Sequence, residues 1–147
     1  RAAPRRQVGP VPPADELGPD ELALTTGRVL QQFNSGALAR RSPRLMAMRD
    51  EDTLRIHPED AAARGIEDGD PVVVSNDRGR VRVPAEVTAA VRKGTVFCTF
   101  HYAEPLVNAL TGDALDPVAE IPEFKHSAVA VAPAPATEAA AEDAEAD

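Results

Sequence analysis

The residues best suited to bind a ligand lie in segment 24–42, LTTGRVLQQFNSGALARRS, which is rich in arginine. No acidic residue falls between Glu21 and Asp50, although the 147-residue chain has a net charge of −8. A guanidinium group is planar and presents a fork of donors that matches phosphate or carboxylate. The sequence therefore predicts an anion site served by arginines in this segment and just after it: Arg28, Arg40, Arg41, Arg44 and Arg49.

Small and polar side chains accompany these arginines. Thr26 and Gly27 follow a predicted strand, and their small size lets backbone N–H groups approach an anion beside Arg28. Amide and hydroxyl groups suited to an uncharged partner, such as the edge of a nucleobase, follow at Gln32, Asn34 and Ser35. Further polar residues stand where predicted strands end or loops begin: His101, Asn108, Thr111 and Lys125.

The sequence contains no motif that would form a catalytic or metal-binding set. The three histidines, His57, His101 and His126, have no metal-ligand spacing, and no serine lies in a nucleophile elbow. No glycine-rich phosphate loop occurs. Cys98 is the single cysteine, which excludes an internal disulfide, and its apolar surroundings TVFCTF predict a buried strand residue. We therefore assign no catalytic and no metal-binding residue to this chain.

Composition divides the chain into three parts. Residues 1–20 hold five of the fourteen prolines and predict an extended linker. Residues 133–147 carry five acidic residues, no basic residue and no large apolar residue, and this composition predicts a disordered tail. Residues 21–132 remain as one folded domain, and the tail accounts for most of the net charge.

The central part predicts a mainly β domain with short helices. Six short runs have the pattern of strands: 22–26, 53–57, 71–75, 80–85, 95–102 and 125–132. Segment 58–65 has a helix signature, with Pro58 at its first position and Gly65 at its C-terminal end. Residues 104–110 have the apolar spacing of a second short helix. Six short strands with few helices predict a small barrel whose core depends on Val, Leu, Ile and Ala.

No apolar run approaches the roughly 20 residues that a membrane-spanning helix needs. The chain has no signal peptide and begins with Arg1 rather than Met. We expect a cytoplasmic protein without a membrane span, and a chain that is a fragment of a longer polypeptide.

Four consecutive blocks carry a family resemblance: TTGRVLQQFNSGALARRS, IHPEDAAARGIEDGDPVVVSNDRGRV, VFCTFHYAEPLVNALT and DPVAEIPEFKHSAVAV. In this order they resemble the C-terminal domain of molybdopterin-dependent oxidoreductases, and most closely the formate dehydrogenase catalytic subunits. The resemblance covers about residues 20–132. It implies a double-psi β-barrel, the aspartate-decarboxylase-like barrel, that closes over a molybdenum or tungsten bis(molybdopterin guanine dinucleotide) cofactor.

The resemblance also implies roles for individual residues. Thr26, Gly27 and Arg28 would approach the phosphates and the pterin of one dinucleotide. Polar edges of the same dinucleotide would meet Gln32, Asn34 and Ser35. From the second half of the barrel, the cofactor would be contacted by His101 and Asn108, with Lys125 nearby. Basic positions of the family are matched by Arg40 and Arg41.

The groups that complete such an enzyme are not in this sequence. The family carries an iron–sulfur cluster and a cysteine or selenocysteine ligand to the metal, whereas this chain offers only Cys98. We therefore expect upstream catalytic domains or a partner subunit, and no formate oxidation to carbon dioxide by this chain alone. A non-catalytic barrel that serves as a protein-interaction module is the alternative. Nucleic-acid binding is disfavoured, because the chain is acidic and has few aromatic residues for stacking.

Overall fold

The computed structural model describes residues 16–49, 51–102, 106–115 and 120–135. Its first strand alternates buried and partly buried residues, as the sequence LALTTG predicts. The strands are β1 (Leu22–Gly27), β2 (Leu54–Ile56), β3 (Pro71–Ser75), β4 (Arg80–Val87), β5 (Thr95–Thr99) and β6 (Ser127–Pro133). The helices are α1 (Pro43–Met46), α2 (Pro58–Ala62) and two 3-10 turns, Ala39–Arg41 and Val107–Leu110.

The six strands form a closed barrel in the order β1-β5-β2-β4-β3-β6. Two pairs are parallel, β1 with β5 and β2 with β4, and the other pairs are antiparallel. Exchanging β1, β2 and β3 for β4, β5 and β6 leaves every pairing unchanged. Two equivalent halves are therefore interlocked through their parallel pairs, and the fold is a double-psi β-barrel. The predicted fold class is confirmed.

The core is built from aliphatic side chains, as predicted. The largest fully buried residues include Leu24, Leu54 and Ile56 from β1 and β2. Valines from four other strands pack in the same cluster, Val72, Val83, Val96 and Val129. Cys98 belongs to this cluster and is 1% exposed, which confirms the prediction of a buried strand residue.

The structure corrects several predicted boundaries. The helix predicted at 58–65 ends at Ala62, and Gly65 beyond it has a φ of 66°. His57, predicted at a strand end, caps α2 instead, because its Nδ1 accepts a hydrogen bond of 3.2 Å from the Glu59 N–H. β5 ends at Thr99 rather than residue 102, and β6 begins at Ser127 rather than residue 125. The segment predicted as a helix at 104–110 contributes a 3-10 turn, and residues 103–105 lie outside the described residues.

The predicted terminal segments fall mostly outside the described residues, so residues 1–20 and 133–147 keep their assignments as predictions. Within the described ranges, no helix has the length and apolar character to cross a membrane. In the same ranges, no group of three or more His, Cys, Asp or Glu side chains is placed to hold a metal ion.

Candidate functional site

One end of the barrel carries the long connections. β1 and β5 run parallel and finish together, with Gly27 beside Thr99, and β6 begins next to them. The connections that leave β1 and β5 at this end, residues 28–53 and 100–126, are much longer than those at the opposite end, residues 57–70 and 88–94. The predicted ligand-binding residues all lie at this end, because each is near the end of β1, near the start of β6 or in a long connection.

A cavity of about 470 Å³ opens between these two connections. Two of the side chains that line it are cations, and none of its described lining residues is acidic. A volume of this size falls in the range of about 300–1,000 Å³ that is typical of small-molecule sites. The lining residues are Thr26, Gly27, Arg28, Asn34, Phe100, Asn108, Phe124 and Lys125.

Arg28 supplies one of the two positive charges. Its guanidinium carbon lies 5.7 Å from the centroid of the Phe100 ring, a distance at which a cation is attracted to the ring face. Arg28 forms no ion pair within the described part of the chain. Its charge is therefore held at the cavity without being neutralised by a neighbouring carboxylate.

Lys125 supplies the second charge. Its Nζ donates a hydrogen bond to the carbonyl oxygen of Thr26, at the end of β1. In return, the Thr26 Oγ1 donates to the carbonyl oxygen of Phe124 at 2.6 Å. These two bonds attach segment 124–125 to the end of β1, and β6 starts only at Ser127, two residues later than predicted.

Asn34 and Asn108 face the cavity from opposite connections. Asn34 lies in the connection after β1 with a φ of 51°, in the left-handed region that asparagine tolerates better than most residues. Asn108 lies in the 3-10 turn Val107–Leu110. Neither side-chain amide makes a hydrogen bond to any residue that the structure describes, so both keep their donors and acceptors available for a ligand.

Gly27 lines the cavity and also has a structural role in the packing of β1 against β5. A Cβ atom on this residue would lie 2.5 Å from Cε2 of Phe97, inside the van der Waals contact distance. Phe97 is in turn covered by Arg55, whose guanidinium carbon lies 5.6 Å from the centroid of the ring. The absence of a side chain therefore lets the end of β1 pass over the Phe97 ring of β5.

Four of the predicted site residues do not line the cavity. His101 is 3% exposed and lies behind the connection, with both of its ring nitrogens bonded to backbone atoms of Val29 and Asn34. Gln32 is also 3% exposed; its Nε2 lies 3.7 Å from the sulfur of Met46, and its Oε1 has no partner among the described residues. The exposed residues Ser35 and Arg41 lie elsewhere on the connection. Their contact with a ligand stays a prediction.

Sequence reasoning missed the two aromatic walls of the cavity, Phe100 and Phe124. Phe100 reads as the continuation of an apolar strand, and the predicted strand did extend through it. Phe124 stands alone between polar residues, and nothing in its neighbourhood distinguishes it from a surface residue. The signal for both is their position directly before a predicted site residue, at Phe100-His101 and Phe124-Lys125.

A buried polar cluster supports this end of the barrel. Burial raises the pKa of the Asp52 carboxyl, although the N–H groups of Thr99 and Thr53 donate to it at 2.9 Å each and oppose the shift. For Glu86, burial alone would raise the pKa, but hydrogen bonds from Thr53 and Arg55 outweigh it and the pKa is lowered. The cluster links the connection before β2 to the end of β5.

The opposite end of the barrel has a larger depression of about 600 Å³, whose described lining includes three acidic and two basic residues. Arg64 donates to the carbonyl oxygens of Asp60 and Asp20, at 3.1 and 3.0 Å. Lys93 pairs with Glu59 at 2.6 Å. The described lining of this depression mixes acids with bases, so the smaller cavity is the better candidate for an anionic ligand.

Comparison with known proteins identifies the class of this barrel. The family described as "Molydopterin dinucleotide binding domain" matches residues 22–128, so the match includes β1 to β5, both long connections and the first two residues of β6. The chain belongs to this family. A solved structure, acetylene hydratase from Pelobacter acetylenicus, aligns with a TM-score of 0.68 over 77% of this chain and 18% of its own, at 17% identity. At that identity the likeness shows the fold.

Curated relatives are similar over the same part of the chain. The F420-dependent formate dehydrogenase 2 subunit alpha of Methanococcus maripaludis is 44% identical over 120 residues, which cover 80% of this chain and 18% of the relative. The assimilatory nitrate reductase catalytic subunit of Bacillus subtilis is 39% identical over 125 residues, which cover 84% and 18%. The chain thus spans about a fifth of the length of these relatives.

Proposed function

We propose that this chain is the cofactor-binding part of a formate-oxidising molybdopterin oxidoreductase, and that its cavity holds one dinucleotide of bis(molybdopterin guanine dinucleotide). The observation that carries the proposal is the convergence of six predicted residues on one cavity. They come from segments that are far apart in the sequence: Thr26, Gly27, Arg28, Asn34, Asn108 and Lys125.

The donors of this cavity fit a dinucleotide. A pyrophosphate needs cations, and Arg28 and Lys125 provide two charges without a described acid in the lining. A guanine or pterin edge needs donors and acceptors together, and the amides of Asn34 and Asn108 offer both. Phe100 and Phe124 add apolar walls against which a flat ring system can lie.

The chain's own part in the reaction is to bind and orient. When bound, the cofactor with its molybdenum or tungsten supplies the two-electron chemistry, and the protein supplies position and electrostatics. Arg28 and Lys125 would fix the phosphate groups, while the two asparagines would set the rotation of the ring systems. Formate as the substrate is supported by the similarity to the formate dehydrogenase alpha subunit and by the second-half block VFCTFHYAEPLVNALT.

The rest of the enzyme would be supplied by upstream catalytic domains or a partner subunit, together with any iron–sulfur cluster. The small share of each relative that the chain covers supports this arrangement. Exposed apolar side chains also support it, because they concentrate on the two long connections beside the cavity. They include Leu30 at 97%, Phe33 at 74%, Leu38 at 74% and Ile121 at 63% exposure. We propose a cytoplasmic location for the assembled enzyme.

Titration with GDP, which carries the guanine and pyrophosphate of the dinucleotide, tests the proposal. We expect chemical-shift changes in the amides of residues 26–35 and around Asn108. The Arg28→Ala variant should bind about 10- to 150-fold more weakly, since a charge-assisted hydrogen bond contributes about 1.5–3 kcal/mol and 1.4 kcal/mol is tenfold in affinity. Arg92→Ala is the matched control, because Arg92 is exposed in the connection between β4 and β5 at the opposite end.

Two results would count against the proposal. If Arg28→Ala and Arg92→Ala weaken GDP binding equally, the interaction is general charge attraction. If the wild-type chain shows no shifts at millimolar GDP, the cavity has no affinity for this part of the dinucleotide, and the interaction-module alternative gains support.

A further inference from the structure

We infer that His101 is a positioning residue, whose ring holds Arg28 and Asn34 in place at the cavity through the backbone rather than by touching the ligand. The inference rests on the proposed function, because it assigns a role within that same site. His101 was predicted to contact the cofactor, yet it is 3% exposed and is not part of the cavity lining.

Both nitrogens of the His101 ring bond to the connection that follows β1. The Val29 N–H donates to Nε2 at 3.3 Å, and Nδ1 is hydrogen-bonded to the carbonyl oxygen of Asn34. Nε2 must therefore carry a lone pair, and Nδ1 must carry the hydrogen, since a carbonyl oxygen can only accept. One neutral tautomer satisfies both bonds, and the ring acts as a bridge between two points of the backbone.

The two backbone groups bonded to the ring belong to Val29 and Asn34, and they lie next to or within residues that line the cavity. Val29 directly follows Arg28, so fixing its N–H fixes the direction in which the Arg28 side chain leaves the backbone. Asn34 itself lines the cavity, and its carbonyl is the second point. Within the described residues, the Val29 N–H and the Asn34 carbonyl make no hydrogen bond other than those to this ring.

The connection also packs closely on the backbone of His101. Gly36 has a φ of 73°, and a Cβ built on it would lie 3.3 Å from the carbonyl oxygen of His101. Residues 29–36 therefore contact His101 both through its ring and through its backbone. Since His101 follows β5 by only two residues, the position of the connection is set by the barrel itself.

Substitutions at His101 can separate the two bonds. His101→Gln places an amide oxygen near the position of Nε2 and can accept from Val29, whereas His101→Asn places an amide N–H near Nδ1 and can donate to Asn34. His101→Ala removes both. In the 147-residue chain without ligand, amide hydrogen exchange of Val29 should speed up about tenfold in Ala and in Asn, and should return toward the wild-type rate in Gln.

GDP affinity provides the functional readout. We expect His101→Ala to bind GDP about tenfold more weakly, and His101→Gln and His101→Asn to recover part of the loss. Exchange of the Val72 and Val96 amides in the barrel should stay at the wild-type rate in all three variants. If Ala does not fold, the comparison of Gln with Asn at Val29 still gives the result, because only Gln retains an acceptor.

The outcomes are distinguishable. Fast Val29 exchange combined with unchanged GDP affinity in His101→Ala would overturn the positioning role while leaving the proposed function intact. Equal exchange of Val29 in Gln and Asn would show that the ring does not act through this bond, and would also overturn the inference. Absence of GDP binding by the wild type would overturn the proposed function, and the positioning role with it.

Discussion

Asp52 is a buried acid whose two carboxylate oxygens accept backbone N–H bonds from Thr53 and Thr99. It is 2% exposed, and burial raises its pKa above the ordinary value of 3.8 despite these bonds and the nearby charge of Arg49. A raised folded-state pKa means that the folded protein holds the proton more tightly than the unfolded chain does. The stabilising contribution is then fully present below pH 3.8 and is lost as the pH rises through the folded-state pKa.

Comparison of the wild type with Asp52→Asn isolates this effect, because asparagine does not titrate. The quantity of interest is the free energy of unfolding of the wild type minus that of Asp52→Asn. We expect this difference to fall between pH 3.5 and pH 7. The fall should be about 1.4 kcal/mol for each unit by which the folded-state pKa of Asp52 exceeds its unfolded value. Urea denaturation of both proteins at several pH values measures this difference in the free energy of unfolding. A difference that grows with pH would mean that the N–H donors and Arg49 outweigh burial.

Some residues of the candidate site could be predicted from the sequence, and others could not. Arg28 was predicted because it stands in a stretch without acidic residues in an otherwise acidic sequence, and Lys125 because it lies where a predicted strand begins and matches the family resemblance. Phe100 was missed because it continues an apolar strand pattern whose end the sequence does not mark, and Phe124 because its polar neighbours do not distinguish it from a surface residue. His101 was predicted at the site but not in its role, since the bonds of a ring to a distant backbone leave no trace in sequence spacing.

At the level of elements, β1 and β5 approach closely where Gly27 passes over the ring of Phe97. The two strands are parallel neighbours, with Thr25 beside Phe97 and Gly27 beside Thr99. Any side chain at residue 27 has to displace the ring or the strand, since the Cβ alone would lie 2.5 Å from it. The close packing of β1 on the Phe97 ring of β5 thus depends on the absence of a side chain at Gly27.

Gly27→Ala should therefore lower the free energy of unfolding by about 1–3 kcal/mol, the usual cost of overpacking. Phe97→Leu in the same chain should recover part of this loss, because a smaller side chain makes room for the added methyl group. Chemical denaturation of both single variants and the double variant gives the coupling energy. Additive effects would show that the ring is not the obstacle.

The elements with a strong local pattern were predicted well. The β3–β4 hairpin follows from β-branched runs on both sides of a turn, and α2 follows from its proline, its early acids and Gly65. Two of the boundaries that moved, at the end of β5 and the start of β6, lie at the cavity. There the chain leaves the sheet, and His101 and Lys125 make tertiary hydrogen bonds instead of continuing the strands.

For the whole molecule, exposed apolar surface is concentrated at one end. Among the residues that the structure describes, eight of the nine exposed large hydrophobic side chains lie in segments 30–48 and 106–124, which are parts of the two long connections. Leu17, at 45% exposure, is the exception and precedes β1. Apolar surface of this kind, gathered around a cavity, is typical of a face that another part of a protein covers.

We expect the isolated chain to associate with itself through this face. The double variant Leu30→Ser/Phe33→Ser should reduce concentration-dependent association, while changing the free energy of unfolding by no more than about 0.5 kcal/mol, as is usual at exposed positions. Sedimentation velocity over a range of concentrations measures it. Leu17→Ser is the control and should sediment like the wild type; the same reduction in both variants would contradict the assignment.

The strand order also determines when the barrel can assemble. β1 is the first strand in the part of the chain that the structure describes, yet both of its neighbours, β5 and β6, come after residue 94. During synthesis, β1 therefore has neither of its neighbouring strands until β5 has been made, whereas the β3–β4 hairpin can form earlier because its contacts are local. Folding dominated by such distant contacts is slow, because the long intervening chain has to be ordered before the contacts reward it. A chain that stopped before β5 would lack both neighbours of its first strand, and no shorter barrel would be available to it.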